Sequence, residues 1–240
     1  CCRAIAASST VRSDMTASTY YTLVASLPRL RHFESAEWLP LSRRQLDERL
    51  TMLTPEDALQ LRLAENLVEW QRQPLTRTSE QVALKYQRVM PQIHNPSLRE
   101  FVEYRMAQRT ALVVLRRRKL GLAAPSDDDV WGVGPWLRLM LENWDRNDLG
   151  LAHLLPWIGE ANRLLEEGEA LQLEKLLMDA VWTRLGRIAE RSPFGFEPVM
   201  GFVFRWDILQ RWLSYDADKA KLRFQELVTE VTREQQQLFA

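Results

Sequence analysis

An all-α fold is what this sequence predicts, and three observations carry it. Apolar residues recur at helical spacing along most of the chain, the long segments open on explicit helix-start signals, and no stretch alternates as a half-buried strand would. In chain order, Tyr20 to Val24 holds β-prone residues, but the run is short and has no turn-linked partner. A helix is expected over 42–50. Thr54-Pro55-Glu56-Asp57 then supplies a capping hydroxyl, a proline at the first helical position and acids in the first turn, opening a helix that should reach Gln73 before Pro74. After a helix over 79–90, Asn95-Pro96 repeats that logic and starts the longest segment, which ends near Leu120 with Gly121 as its stop. Further helices are expected over 135–145, 148–155, 157–167, 170–191 and 197–213. Asp216 should cap a last helix, in which Ala220, Phe224, Leu227, Val228 and Val231 form one continuous apolar stripe.

The small residues and proline of Ala123-Ala124-Pro125-Ser126, followed by Asp127-Asp128-Asp129, read as an exposed linker or loop. It divides the chain into an N-terminal helical half over 15–121, a linker over 122–134 and a C-terminal helical half over 135–240. Residues 1–14 lack an apolar core of the kind a secretory signal needs. They read as an extension upstream of Met15, non-native or disordered, although a chain led by cysteine also fits a mature lipoprotein.

Composition narrows the function classes. The 240 residues carry 32 basic and 32 acidic side chains, so a general electrostatic attraction to nucleic acid or to an anionic membrane is not expected. The two cysteines, Cys1 and Cys2, are adjacent and can form neither a zinc site nor a disulfide framework. A chain otherwise free of cysteine suits a reducing cytoplasm. No window approaches the ~20 apolar residues that span a bilayer, the most apolar run being Ala111 to Leu115.

No motif for catalysis or cofactor binding stands out, so no catalytic, cofactor or metal residue is assigned. His32, His94 and His153 are far apart and have no ligand-spaced partner. Gly132-Val133-Gly134 is followed by Pro135 and preceded by no strand, so it reads as a loop rather than a phosphate cradle. Most carboxylates have a basic partner at helical spacing, as Asp207 has Arg211.

The basic residues are more informative. Arg116, Arg117, Arg118 and Lys119 close the long helix, where cations favour the C-terminal dipole and could also meet a partner. At 100° per residue, Arg105, Arg109 and Arg116 fall within roughly 40° of one another, on the face that carries Leu98, Phe101 and Leu112. Cations on an apolar face must snorkel, pair with carboxylates of another helix, or meet another protein. Nine tryptophans are many for this length, and most should pack the core. Trp and Arg are also enriched at interface hot spots. Arg105, Arg109, Arg116, Arg117, Arg118, Trp206, Arg211 and Trp212 are accordingly the candidate protein-interface residues.

Two stretches resemble a bacterial family of unknown function encoded in V/A-type ATPase operons. Tyr20-Tyr21-Thr22-Leu23-Val24-Ala25-Ser26-Leu27-Pro28 is similar to its tyrosine-rich opening, and Ile208-Leu209-Gln210-Arg211-Trp212 with Asp216, Lys219, Phe224 and Leu227-Val228 is similar to its C-terminal pattern. Thr183 to Arg191 departs from it. The family looks like a short relative of the C subunit (d in eukaryotes) of rotary V/A-type ATPases. That resemblance implies an all-α, funnel-like body of pseudo-repeated helical units. It also implies a non-catalytic socket, one copy per complex, between the central-shaft subunits and the membrane proteolipid ring, peripheral to the inner membrane on the cytoplasmic side. An assembly factor or helical adaptor that visits the ATPase transiently is the alternative.

Overall fold

The computed structural model describes residues 19–68, 79–126 and 130–215, and among these every regular element is helical. Nine α-helices follow in order: α1 (Tyr21–Ser26), α2 (Arg43–Leu50), α3 (Pro55–Val68), α4 (Ser79–Val89), α5 (Pro96–Lys119), α6 (Leu137–Glu142), α7 (Ile158–Glu167), α8 (Ala170–Ala189) and α9 (196–215). The expected end of α3 at Gln73, the extension over 1–14, the triple aspartate and the last amphipathic helix lie outside the described residues.

The start signals act as the sequence implies. Thr54 Oγ1 accepts a hydrogen bond from Asp57 N at 3.2 Å at the head of α3, and Asn95 Oδ1 accepts one from Leu98 N at 2.9 Å at the head of α5. Ser42 and Gln45 form a reciprocal capping box on α2. The β-prone run near Tyr20 is the short helix α1. It is held by a backbone bond from Tyr20 N to Phe194 O (2.6 Å) and by the Tyr20 hydroxyl on Asp57 and Thr54.

One expected helix is absent. Residues 148–155 form successive turns, because Leu149 and Gly150 both take left-handed backbone angles (φ 49° and 69°). Asp148 Oδ1 accepts from Gly150 N at 3.1 Å, a local turn that competes with helical pairing. The apolar residues of that segment still serve the core: Leu149, Leu151 and Leu155 are fully buried. The helix expected over 135–145 also shortens to α6, with the Asn143 side chain donating back to Leu139 O at 2.9 Å.

α5 runs through the middle of the molecule. Half of its 24 residues are buried, too many for a single face, and it packs against α3, α6, α7 and α8. The main core draws on both halves of the chain, from Tyr20 and Leu23 through Phe101 to Val203 and Trp206. The segment joining the halves is exposed at Leu122 and Val130 and buried at Trp131 and Val133. Thr110 of α5 holds it, donating to Val133 O (2.7 Å) and accepting from Val133 N (3.0 Å).

α8 and α9 cross closely. A Cβ at Gly201 would lie 3.4 Å from Ala189 Cβ and from Leu185 O, and one at Gly186 would collide with Arg205 Nη2. The Arg205 guanidinium, filling that space, donates twice to Trp182 O, at 3.1 and 2.8 Å. Glu100 ties α5 to α8 and the turn beyond it, accepting from Arg184 (2.8 Å) and Arg191 (2.5 Å).

Phe101 is buried and its ring packs on Phe204, with centroids 4.5 Å apart. Phe101→Ala should cost about 3–5 kcal/mol in urea unfolding, while Leu84→Ala, at an exposed site on α4, should stay within about 0.5 kcal/mol of wild type. The hydrogen bond from Arg191, with the charge of Arg184, holds the Glu100 carboxyl below its ordinary value of 4.5. Stabilisation from a depressed carboxylate is complete above the unfolded value and is lost as pH falls through the folded one. Glu100→Gln should therefore cost about 1 kcal/mol near pH 7, and the difference from wild type should shrink progressively as pH falls below 4.5, read by unfolding across that range.

A basic cleft and an aromatic flank as candidate functional sites

The basic stripe on α5 faces a cleft of about 600 Å³. Its floor is Arg105, Arg109, Leu112 and Arg116, spaced so that successive turns of one helix present them to the same side. The walls come from the end of α7 and the start of α8, through Leu164, Leu173, Leu177 and Met178. Arg211 reaches in from α9. α7 and α8 converge on α5 because Gly168 takes a left-handed conformation (φ 79°) and turns the chain sharply between them.

Each basic side chain is held differently. Arg105 donates to Gln108 Oε1, and Gln108, itself fully buried, donates from Nε2 to Leu177 O at 3.2 Å. Burial pulls the Arg105 guanidinium down to about 10, and the nearby Arg211 charge pushes in the same direction. Arg211 pairs with Glu174, and the Tyr215 hydroxyl lies 3.0 Å from both Arg211 Nη2 and Glu174 Oε1. Asp207, expected as the helical partner of Arg211, lies 3.9 Å from Arg43. Lys119 donates to the Leu165 and Glu166 carbonyls at the C-terminus of α7, where a cation also meets the negative end of the helix dipole. Arg116 is exposed at the rim.

The other candidates fall elsewhere. Arg118 points away from the cleft lining and binds the turn after α6, donating to Arg146 O at 2.6 Å. Arg117 is half-buried, and its Nε has no hydrogen-bond partner among the described residues. Trp206 is corrected from interface to core: it is fully buried and its Nε1 donates to Leu41 O at 2.8 Å. A side chain so enclosed has no surface to offer a partner. Trp212 is half-buried, edge-on to Phe33 with centroids 5.2 Å apart. His32 lies 3.0 Å from Asp179, while His94 and His153 are not grouped with it. Among the described residues no three His, Cys, Asp or Glu side chains could hold a metal ion together, and no helix is long and apolar enough to cross a membrane.

A second feature was not read from the sequence. Phe33, Met178, Trp182 and Leu209 form a small cluster of their own, on which Leu30, Leu39, Ile208 and Trp212 pack. The chain after α1 thus reaches the far end of α9, while Tyr20 is tied to Phe194 just before its start. Outside this seam the Tyr21 and Phe194 rings pack at a tilt of 38°, with centroids 4.6 Å apart, and both remain about half exposed. The adjacent tyrosines hinted at it, since in a helix neighbouring residues point in different directions, one inward and one out. The importance of Gln108 had no such hint, because a glutamine in a helix ordinarily reads as surface.

No family model matches this chain, and no curated protein or solved structure matches it either.

Gln108→Leu would remove the acceptor of Arg105 and the donor to Leu177 O while preserving bulk. It should destabilise the protein by about 1–3 kcal/mol in denaturant unfolding, where Gln108→Glu, restoring an acceptor and a countercharge to Arg105, should recover part of the loss.

Proposed function

We propose that this chain is a non-catalytic structural component of a V/A-type rotary ATPase, one copy acting as a socket between the central-shaft subunits and the membrane proteolipid ring. A funnel-like body of pseudo-repeated helical units, peripheral to the membrane on the cytoplasmic side, belongs to the same proposal. The sequence support is the resemblance carried by Tyr20–Pro28 and by Ile208–Trp212. What the fold adds is that Tyr20 is tied to Phe194 O just before α9, and that Ile208, Leu209 and Trp212 of α9 pack with Leu30, Phe33 and Leu39, the segment that follows Tyr20–Pro28. A torque-carrying part requires rigid helices tied across the whole chain, and such a tie is what α9 provides to the N-terminal segment. The Tyr21–Phe194 pair is the surface we assign to docking, because exposed aromatic rings packed on one another supply contact area at low entropic cost.

Affinity capture of the tagged chain from native membranes tests the proposal. Shaft and ring subunits should be recovered in constant stoichiometry with it, and Tyr21→Ala with Phe194→Ala should lower that recovery without changing the helical circular dichroism. Recovery without either set of subunits would overturn it. Recovery only with incomplete complexes, the chain being absent from the finished motor, would instead identify an assembly factor.

A further inference from the structure

Beyond α9 the sequence carries an apolar stripe, Ala220, Phe224, Leu227, Val228 and Val231, which a helix by itself cannot take out of water. The end of α9 shows which surface lies within its reach. α9 runs antiparallel to α8: Gly201 approaches Ala189, Arg205 binds Trp182 O, and Arg211 meets Glu174. Tyr215, the last described residue, donates its hydroxyl to Glu174 Oε1 at 3.0 Å. The next turn toward the head of α8 holds Ala170 and Leu171. α5 is also antiparallel to α8, Glu100 meeting Arg184 and Gln108 meeting Leu177 O. The direction of α9 therefore points along α5 toward Lys119.

That path is the cleft between α5, α7 and α8. Its apolar lining includes Leu112, Leu164, Leu173 and Leu177. Apolar surface continues past the rim, since Leu171, beside Ala170, is 45% exposed and Leu120, beside Lys119, is 74% exposed. The dimensions agree. At 1.5 Å per residue, α5 advances roughly 15 Å from Arg109 to Lys119, and a helix advances roughly 17 Å from Ala220 to Val231. Only residues 216–219 separate α9 from the stripe, a tether that sets an effective concentration on the order of millimolar for the chain's own segment.

We propose that residues 220–231 dock as a helix in this cleft of their own chain, the apolar stripe lying along Leu112, Leu164, Leu173 and Leu177 and reaching Leu120. The contact is a helix laid in an apolar groove, with anchors at helical spacing. It is independent of the rotary-ATPase reading, since it rests on the course of α9, the lining of the cleft and the spacing of the stripe.

Disulfide trapping in the full-length chain tests this. Cys1→Ser and Cys2→Ser remove the native thiols. Leu120→Cys or Leu171→Cys then anchors one cysteine at an exposed position. The second comes from Phe224→Cys, Leu227→Cys, Val228→Cys or Val231→Cys on the stripe, or from Glu226→Cys, Thr229→Cys or Arg233→Cys on the far side of the same helix. Under mild oxidation the best stripe position should close an intrachain disulfide at least about tenfold faster than every far-side position. Arg138→Cys, an exposed anchor on α6 outside the cleft lining, should trap neither face. As a second readout that needs no anchor, a single Val228→Cys should react with a maleimide at least about tenfold more slowly than a single Glu226→Cys. Equal trapping of both faces, no disulfide from any position, or equal maleimide rates would each overturn the proposal. Disulfides that join two chains on a non-reducing gel would also overturn it, showing the stripe covered by a second copy.

Discussion

A long helix enclosed on several sides has no free face on which to leave a polar group, and α5 is such a helix. Burial of Phe101, Val102, Ala107, Val114 and Leu115 removes its apolar surface from water and fixes the positions of α3, α6, α7 and α8 around it. The polar residues it carries inward then need partners supplied by other elements. Tyr104 accepts a hydrogen bond from the Trp157 indole at 3.1 Å, Thr110 holds the backbone at Val133, Gln108 reaches Leu177 O, and Glu100 binds two arginines. Each of these links a distant part of the chain to the same helix. An unmade partner in such a setting costs more than a made one contributes, so these bonds select one arrangement of the surrounding helices.

The same enclosure gives the arginines of α5 their character. On a surface helix Arg105 would be one more solvated cation. Here it is half-buried, with the Arg211 charge nearby, and its proton is held less firmly than usual. At a value near 10 it is still charged in neutral solution, so the fold carries a concentrated positive charge next to an apolar wall. That pairing of charge with apolar surface arises where the Gly168 turn brings α7 and α8 together over α5.

α9 plays the complementary part at the other side of the molecule. Its tight crossing with α8, permitted by Gly186 and Gly201, leaves Arg205 and Trp206 inside and brings Ile208, Leu209 and Trp212 to the segment that follows α1. The first and last described parts of the chain are thereby closed on one another. Exposed Tyr21 and Phe194 lie just outside that seam, Tyr21 at the head of α1.

Local chemistry made much of this legible in advance. Caps at Thr54 and Asn95 act within a single turn, and apolar spacing reports which face of a helix seeks burial, so the all-helical fold and most helix positions follow from the sequence alone. The same spacing placed Arg105, Arg109 and Arg116 on one side of α5, and they do line one cleft. Apolar content could not separate a helix from buried turns over 148–155, since the deciding factor was the left-handed backbone at Leu149 and Gly150. Nor could it separate Trp206, sealed in the core, from Trp212, half open to solvent, on one helix. Which carboxylate meets Arg211, and that Gln108 reaches Leu177 O, were decided by tertiary structure. Those partners lie on other helices, and pairing across such distances depends on packing geometry that no local pattern encodes.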